Sequence, residues 1–292
     1  IRKEIEAAGF ELALLEKYTE KAQLLDAVKD ANAIIIRSDI IDAEVLDAAK
    51  ELKIVVRAGA GYDNVDLEAA TAHQVCVMNT PGQNANAVAE LALGMMVYAV
   101  RNFYNGTSGT ELMGKKLGIH AYGNVGRNVA RIAKGFGMEI LAFDMFCRDE
   151  DIKAEGVNPT CSVKMLYQSC DIISINIPAT KETKQSINAE LLQLLPKGAV
   201  LVNTARKEVV HEADMVQFME SRPDVKYVTD VMPDNHAEML EKFPDLYLMA
   251  SGGVSNVDDI IALNEAGVPG VIFGKALYEG HLTLQDLRIF LD

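Results

Sequence analysis

Short apolar runs rich in Ile and Val alternate with longer stretches of helical periodicity along most of this chain. The runs show no polar alternation, which is typical of strands that helices cover on both faces. They span residues 33–37, 53–57, 75–78, 116–121, 139–143, 171–177, 199–203, 226–230 and 246–250. Repeated strand–helix–strand units of this kind build parallel sheets. The sequence therefore predicts an α/β fold with a doubly wound parallel sheet.

The 292 residues, 49% of them hydrophobic, favour two compact domains over one. A Thr80-Pro81-Gly82 turn interrupts the pattern, and turns rich in Pro and Gly often mark boundaries. We expect a smaller substrate domain over residues 1–83 together with about 250–292. Residues 84–249 are expected to form the second, nucleotide-binding domain.

The segment 86–102 predicts a long helix that is apolar on nearly every side. Such a helix must be covered, either between domains or by a second copy of the chain. We therefore expect a homodimer built on this helix.

Charge and cysteine content exclude several classes of partner. The chain has 28 basic and 42 acidic residues, a formal charge of -14, which disfavours nucleic acid and anionic membrane surfaces. No apolar run approaches the ~20 residues of a membrane helix, and no signal-peptide core is visible at the start. Neither the cysteines nor the histidines have metal-ligand spacing, so we expect a cytoplasmic protein with reduced thiols and no metal. These residues are Cys76, Cys147, Cys161, Cys170, His73, His120, His211, His236 and His281.

A glycine-containing turn, Ala121-x-Gly123-x-x-Gly126, lies between a predicted strand and the predicted helix 124–136. Glycine at 123 lets a pyrophosphate approach the backbone, and Gly126 lets the helix pack on the strand. The turn predicts dinucleotide contacts from Tyr122, Gly123, Asn124 and Val125. The alternative is a turn that serves packing alone.

Asp144 follows the next predicted strand, where a carboxylate binds ribose hydroxyls and repels a 2′-phosphate. This position favours NAD over NADP as the cofactor. The alternative role for Asp144 is a helix cap.

Four passages resemble the D-2-hydroxy-acid dehydrogenase family, and most closely its 3-phosphoglycerate dehydrogenase branch, which serves serine biosynthesis. They are RAGAGYDNVD at 57–66, NTPGQN at 79–84 with VAE at 88–90, DIISINIP at 171–178 with Thr183, and LVNTAR at 201–206. The resemblance covers residues 9–249. It implies a Rossmann NAD-binding domain, a flavodoxin-like substrate domain, and an NAD-dependent oxidoreductase acting on a small anionic 2-hydroxy or 2-oxo acid.

The resemblance also implies roles for single residues. Arg206 is expected to bind and polarise the substrate, because guanidinium groups grip carboxylates with two donors. The other implied positions are Arg57, Ala58, Gly59, Ala60 and Asn84 for substrate, and Pro178, Thr183, Thr204, Ala205 and Asp230 for cofactor. Without the resemblance, Arg206 reads as an ordinary surface charge.

The pattern of that family breaks after Asp230. Its acid–base histidine or lysine is replaced by Ser251-Gly252-Gly253, and its glutamate by Asn235, with Asp234 alongside as our candidate catalytic carboxylate. Because a missing acid–base group costs about 10² to 10⁴ in rate, a catalytically weak or silent NAD-binding protein is the alternative function.

Residues 250–280 resemble the last two strand–helix units of the phosphoribosyl isomerase of histidine biosynthesis, a (β/α)₈ barrel. The resemblance implies a phosphate cradle at Gly252-Gly253 and Gly274-Lys275. A phosphate-binding module is thus a second alternative. The simpler interpretation is a terminal helix, 256–265, that completes the first domain.

Overall fold

A computed structural model describes residues 2–16, 18–243, 246, 249–251, 254–265, 268, 270–272, 275–278, 280–283 and 285–290. The chain divides into two compact units, Ile1–Val231 and Met232–Asp292.

The first unit begins with a three-stranded parallel sheet and its helices. The strands are β1 (Ala33–Ile36), β2 (Ile54–Arg57) and β3 (Cys76–Met78), in the order β1-β2-β3, and the helices are α1 (Arg2–Ala7), α2 (Lys21–Ala27), α3 (Ala43–Ala48) and α4 (Leu67–Ala72). Asp42 and Asp66 begin α3 and α4, since each carboxylate accepts a backbone N–H in the first turn. Buried Ile41, Val45 and Val55 belong to its core.

A six-stranded parallel sheet makes up the rest of the first unit. Its strands are β4 (Lys116–His120), β5 (Glu139–Phe143), β6 (Asn158–Pro159), β7 (Ile172–Ile175), β8 (Val200–Asn203) and β9 (Lys226–Thr229). Their order is β6-β5-β4-β7-β8-β9, which is the 3-2-1-4-5-6 order of dinucleotide-binding sheets. The predicted doubly wound fold is confirmed.

Helices cover both faces of this sheet. They are α5 (Ala85–Val100), α6 (Asn124–Gly135), α7 (Asp149–Ala154), α8 (Val163–Ser169), α9 (Ala189–Leu192) and α10 (Glu212–Ser221), with 3₁₀ turns at Asn102–Tyr104 and Lys207–Val209. Successive residues of β8 belong to different apolar clusters: Val200 and Val202 to one, Leu201 to the other. Because side chains alternate along a strand, these clusters are the two covered faces.

The apolar helix α5 is covered on one side only within the chain. Ala89, Ala92 and Met96 are fully buried, whereas Leu91 and Gly94 are exposed, with 45% of Leu91 accessible. The predicted helix exists, and the burial expected on all sides is incomplete in the single chain.

The second unit contains a parallel pair of strands and three helices among its described residues. Its elements are α11 (His236–Lys242), β10 (Met249–Ser251), α12 (Val257–Glu265), β11 (Gly270–Ile272), α13 (Lys275–Tyr278) and a 3₁₀ turn at Asp286–Phe290. The predicted helix 256–265 is confirmed as α12. The structure groups residues 250–292 with 232–249, so their membership of the first domain stays a prediction.

Among the helices that the structure describes, none combines the length and apolar character needed to cross a membrane.

Candidate active site

The turn after β4 has the shape that a dinucleotide cradle requires. Gly123 precedes α6, and a Cβ added to it would meet no atom within 4 Å, so its backbone is open to a ligand. A Cβ on Gly126 would lie 2.4 Å from the Ala121 carbonyl oxygen, which means only glycine lets α6 pack this close to β4. The first N–H groups of α6 point at this turn and carry the positive end of the helix dipole.

Ala121 takes the left-handed conformation, with φ +76°. This conformation costs a non-glycine residue about 1–2 kcal/mol of conformational free energy. Its N–H donates to the Phe143 carbonyl at 2.9 Å, which ties the turn to β5. The site therefore stores backbone strain where the fingerprint ordinarily has its first glycine.

Asp144 holds the turn in place through backbone hydrogen bonds. Its carboxylate accepts the N–H groups of Tyr122 (2.7 Å), Phe146 (2.7 Å) and Cys147 (2.8 Å). The residue that begins α7 is Arg148, so Asp144 caps a loop and not a helix. A carboxylate accepts about four hydrogen bonds, which leaves a position for a ribose hydroxyl.

The side chain of Tyr122 belongs to a network that sequence reasoning missed. Its hydroxyl donates to Glu155 at 3.0 Å, Arg127 stacks 4.9 Å from the ring centre, and Arg127 also pairs with Glu155. Arg127 further donates to the Cys147 sulfur at 3.2 Å. Tyr122 is 1% exposed and thus offers the cofactor only its backbone.

Of the other predicted contacts in this turn, Asn124 is exposed, while Val125 packs against the core. The side chain of Asn124 also lies beside Gly82, at 3.1 Å from the position of a Cβ there. Asn124 is therefore close to the turn that leads into α5.

Three more predicted cofactor residues lie at the carboxyl ends of strands in the same sheet. Pro178 follows β7 and its carbonyl accepts the Thr183 hydroxyl, which closes that loop. Thr204 and Ala205 follow β8, and the Ala205 N–H donates to Asn203 at 3.0 Å. In parallel sheets these strand ends share one edge, where nucleotides bind.

The Thr204 hydroxyl is buried and has no hydrogen-bond partner among the described residues. Unpaired buried hydroxyls are costly, so this one is suited to a ligand at the strand edge. Together with the open backbone at Gly123, it shows that the residues present fit a bound dinucleotide.

Arg206 lies close to the loop after β2. Its guanidinium donates to Asp63 at 3.2 Å and to the Ala205 carbonyl at 3.3 Å. A Cβ on Gly61 would lie 2.6 Å from the same guanidinium. The predicted catalytic arginine and the predicted substrate loop are therefore neighbours.

Arg57 flanks the same loop. Its Nε donates to the Arg37 carbonyl at 3.0 Å, and a Cβ on Gly59 would lie 1.6 Å from its guanidinium. The Gly59 N–H donates to the Arg57 carbonyl at 2.8 Å, and the Ala58 N–H to Ile36 at 2.7 Å. Within the described part of the chain neither the Ala60 N–H nor the Gly61 N–H donates to a backbone carbonyl, which makes both of them candidate loop donors for a substrate carboxylate.

The remaining predicted residues differ in position. Asn84 precedes α5, is exposed, and makes no capping bond through its side chain. Asp230 follows β9; partial burial raises the pKa of its carboxyl, against the opposing charge of Arg206. Asp234 belongs to the second unit, in the turn before α11, and its catalytic role stays a prediction.

Two further predictions concern metals and phosphate. Within the described residues, no three His, Cys, Asp or Glu side chains are placed to hold a metal ion. Gly252, Gly253 and Gly274, the glycines of the predicted phosphate cradle, lie outside the described residues.

The family described as D-isomer specific 2-hydroxyacid dehydrogenase, NAD binding domain, matches residues 82–249. A second family, described as histidine biosynthesis protein, matches residues 232–283. The second match begins where the second structural unit begins.

Similar proteins agree with the first match. The hydroxypyruvate reductase of Thermotoga maritima is 35% identical over 225 residues, 72% of either chain. The D-3-phosphoglycerate dehydrogenase of Methanocaldococcus jannaschii is 34% identical over 68% of this chain, which spans 41% of that relative's length. The crystal structure of NAD⁺-bound 3-phosphoglycerate dehydrogenase from Entamoeba histolytica superposes with a TM-score of 0.77 at 43% identity, covering 82% of this chain and 78% of that one.

The strand order, the fitted dinucleotide turn and these similarities agree, and the chain belongs to the NAD-dependent D-isomer specific 2-hydroxyacid dehydrogenases.

Proposed function

We propose that this protein interconverts 3-phosphoglycerate and 3-phosphohydroxypyruvate with NAD, slowly compared with a fully equipped enzyme. The observation that carries the proposal is the pair of guanidinium groups, Arg57 and Arg206, on either side of the 59–61 loop. Two cations beside the backbone N–H groups of this loop suit a small, multiply charged acid. Relatives named hydroxypyruvate reductase and glyoxylate reductase make hydroxypyruvate and glyoxylate the competing substrates.

Different residues of this chain would bind the substrate and the cofactor. Arg206 would bind the carboxylate and the 2-oxygen, and so orient the 2-carbon and polarise its carbonyl. The turn at Gly123 would hold the pyrophosphate, Asp144 the ribose, and Thr204 and Asp230 the nicotinamide end. NAD, when bound, supplies the acceptor for the hydride that leaves the 2-carbon.

Proton transfer is the step for which the chain is poorly equipped. The position of the family's histidine or lysine is held by Ser251 and two glycines, none of which titrates near neutral pH. Asp234, beside the position of the family's glutamate, is the carboxylate that we propose as catalytic. A missing acid–base group lowers the rate by about 10² to 10⁴, so we expect slow turnover.

The partner that we propose for this chain is a second copy of itself. The exposed residues of α5 include Leu91 and Gly94, which a homodimer would cover.

A second candidate function is phosphate binding by the second unit. The histidine biosynthesis match over 232–283 favours it, as does the parallel, in-register pairing of β10 and β11, with Ser251 opposite Ile272 at their ends. In (β/α)₈ barrels of this kind, the ends of two such strands bind a phosphate.

Two measurements separate these functions. NADH titration by fluorescence tests cofactor binding, and oxidation of NADH with 3-phosphohydroxypyruvate, hydroxypyruvate and glyoxylate tests turnover and substrate. We expect NADH binding with slow oxidation that is fastest with 3-phosphohydroxypyruvate. Binding without any turnover would indicate a silent NAD-binding protein, and ribose-phosphate binding without NADH binding would indicate the phosphate module.

A further inference from the structure

Asp63 and Arg206 form an ion pair between the two sheets of the first unit. Asp63 lies in the loop after β2 and Arg206 follows β8, and the Arg206 guanidinium donates to Asp63 Oδ1 at 3.2 Å. Both side chains are partly exposed, at 60% and 41%. The pair is thus within reach of a ligand that arrives from solvent.

Asp63 is a carboxylate at neutral pH. Partial burial acts to raise its pKa, but its own backbone N–H and the guanidinium groups of Arg206 and Arg57 outweigh burial and hold the pKa below its usual value. The Asp63 carboxylate therefore pairs with Arg206 and interacts with the charge of Arg57, the two arginines that we assign to the substrate carboxylate.

The loop glycine makes this contact possible. A Cβ on Gly61 would lie 2.6 Å from the Arg206 guanidinium and 2.8 Å from Asp63 Oδ1. Any larger residue would push the two side chains off the loop. With the Ala205 carbonyl as its second acceptor, Arg206 is fixed above the 59–61 loop by two partners.

We propose that Asp63 is a positioning residue that takes the place of the substrate carboxylate on Arg206 and must give way when substrate binds. The inference rests on the proposed function, because it assigns Arg206 to a carboxylate. Asp63 then keeps the guanidinium in place between turnovers and lowers the affinity of the site for anions. Removing its charge should therefore strengthen anion binding, an effect that structural damage does not produce.

The test uses the full chain saturated with NADH and oxamate, an unreactive analogue of a 2-oxo acid, titrated by calorimetry. Asp63→Asn should lower the Kd for oxamate about two- to fivefold, the size that a partly exposed ion pair carries. Glu68→Gln makes the same charge change on the exposed surface of α4 and should leave the Kd unchanged. Arg206→Ala should abolish oxamate binding, both alone and when it is combined with Asp63→Asn.

Each outcome bears on one of the two claims. A chain that does not bind NADH overturns the proposed function and this inference with it. If NADH binds and Asp63→Asn leaves the oxamate Kd equal or higher, only this inference is overturned. Oxamate binding that survives Arg206→Ala overturns the proposed role of Arg206 in substrate binding, and this inference with it. Should Asp63→Asn not fold, Asp63→Ser removes the same charge and is read in the same way.

Discussion

The backbone N–H of Tyr122 donates to the Asp144 carboxylate at 2.7 Å, which joins the turn after β4 to the loop after β5. The same carboxylate accepts two N–H groups of its own loop. Its negative charge is therefore fixed beside the turn where a dinucleotide would bind.

We predict a strong preference for NADH over NADPH, because the fixed Asp144 charge repels a 2′-phosphate. Asp144→Asn should weaken NADH binding about tenfold or more, since hydrogen bonds to a charged group contribute about 1.5–3 kcal/mol, and should reduce the discrimination against NADPH. Asp149→Asn, on the exposed first turn of α7, is the matched control. Calorimetry that shows equal affinity of the parent protein for the two cofactors would refute the role of Asp144.

Two glycines of α6 should respond to alanine in opposite ways. Gly126→Ala places a Cβ 2.4 Å from the Ala121 carbonyl and should destabilise the protein by about 1–3 kcal/mol, the usual cost of overpacking. Gly135→Ala meets nothing within 4 Å and should stabilise by about 0.5–1 kcal/mol through helix propensity. Urea unfolding measures the stability of both variants. If the two substitutions change the free energy of unfolding equally, the close approach of α6 to β4 is wrong.

His120 should make stability fall with acid. It is buried at the end of β4, its Nδ1 lies 3.3 Å from the Tyr167 hydroxyl, and burial lowers its pKa to about 4, against the charge of Asp144. A histidine in the unfolded chain has a pKa near ~6.5. Below that pH the unfolded chain binds a proton at His120, whereas the folded chain does not. Between pH ~6.5 and ~4, stability should decline by up to about 1.4 kcal/mol per pH unit from this group.

His120→Gln should remove that contribution and flatten the pH dependence in this window. His73 gives the contrast, because the Ala69 carbonyl and Asp47 raise its pKa, so its stabilisation is present in acid and lost as pH rises. His73→Gln should therefore steepen the decline towards acid. Urea unfolding midpoints at pH 7 and pH 5 test both expectations. If stability depends on pH in His120→Gln as it does in the parent protein, the burial of a neutral imidazole is contradicted.

We predict that Leu91 lies in the homodimer interface, because it is 45% exposed on the uncovered side of α5. A charge placed in an apolar interface is strongly unfavourable, so Leu91→Glu should give a monomer in light scattering at micromolar concentration. Leu67→Glu, which changes a similarly exposed leucine on α4, should leave the mass unchanged. A monomeric parent protein would count against the interface.

The strands and the dinucleotide turn were predictable from sequence because both are local. Runs such as 139–143 become β5 unchanged, and Gly123 and Gly126 mark the turn by residue type alone. The resemblance implied a Rossmann domain, and the strand order β6-β5-β4-β7-β8-β9 is the order of that fold.

Contacts across the fold were not predictable in the same way. Asp63 lies within the quoted 57–66 passage, yet its pairing with Arg206 depends on how two sheets pack, which no local pattern records. The same holds for Tyr122 and Glu155, and for the side of α5 that stays exposed. The second unit begins at Met232, whereas the nucleotide-binding domain was expected to continue to residue 249. Residues 232–249 are matched by both families.

The central claim is that this chain is an NAD-dependent 2-hydroxyacid dehydrogenase whose substrate is held by Arg206. The most direct measurement is the rate of NADH oxidation with 3-phosphohydroxypyruvate for the parent protein, Arg206→Lys and Arg206→Ala. We predict slow turnover by the parent, a further loss of about 10²-fold or more in Arg206→Ala, as expected when substrate orientation is lost, and a partial loss in Arg206→Lys. Turnover that is unchanged by Arg206→Ala would contradict this placing of the active site.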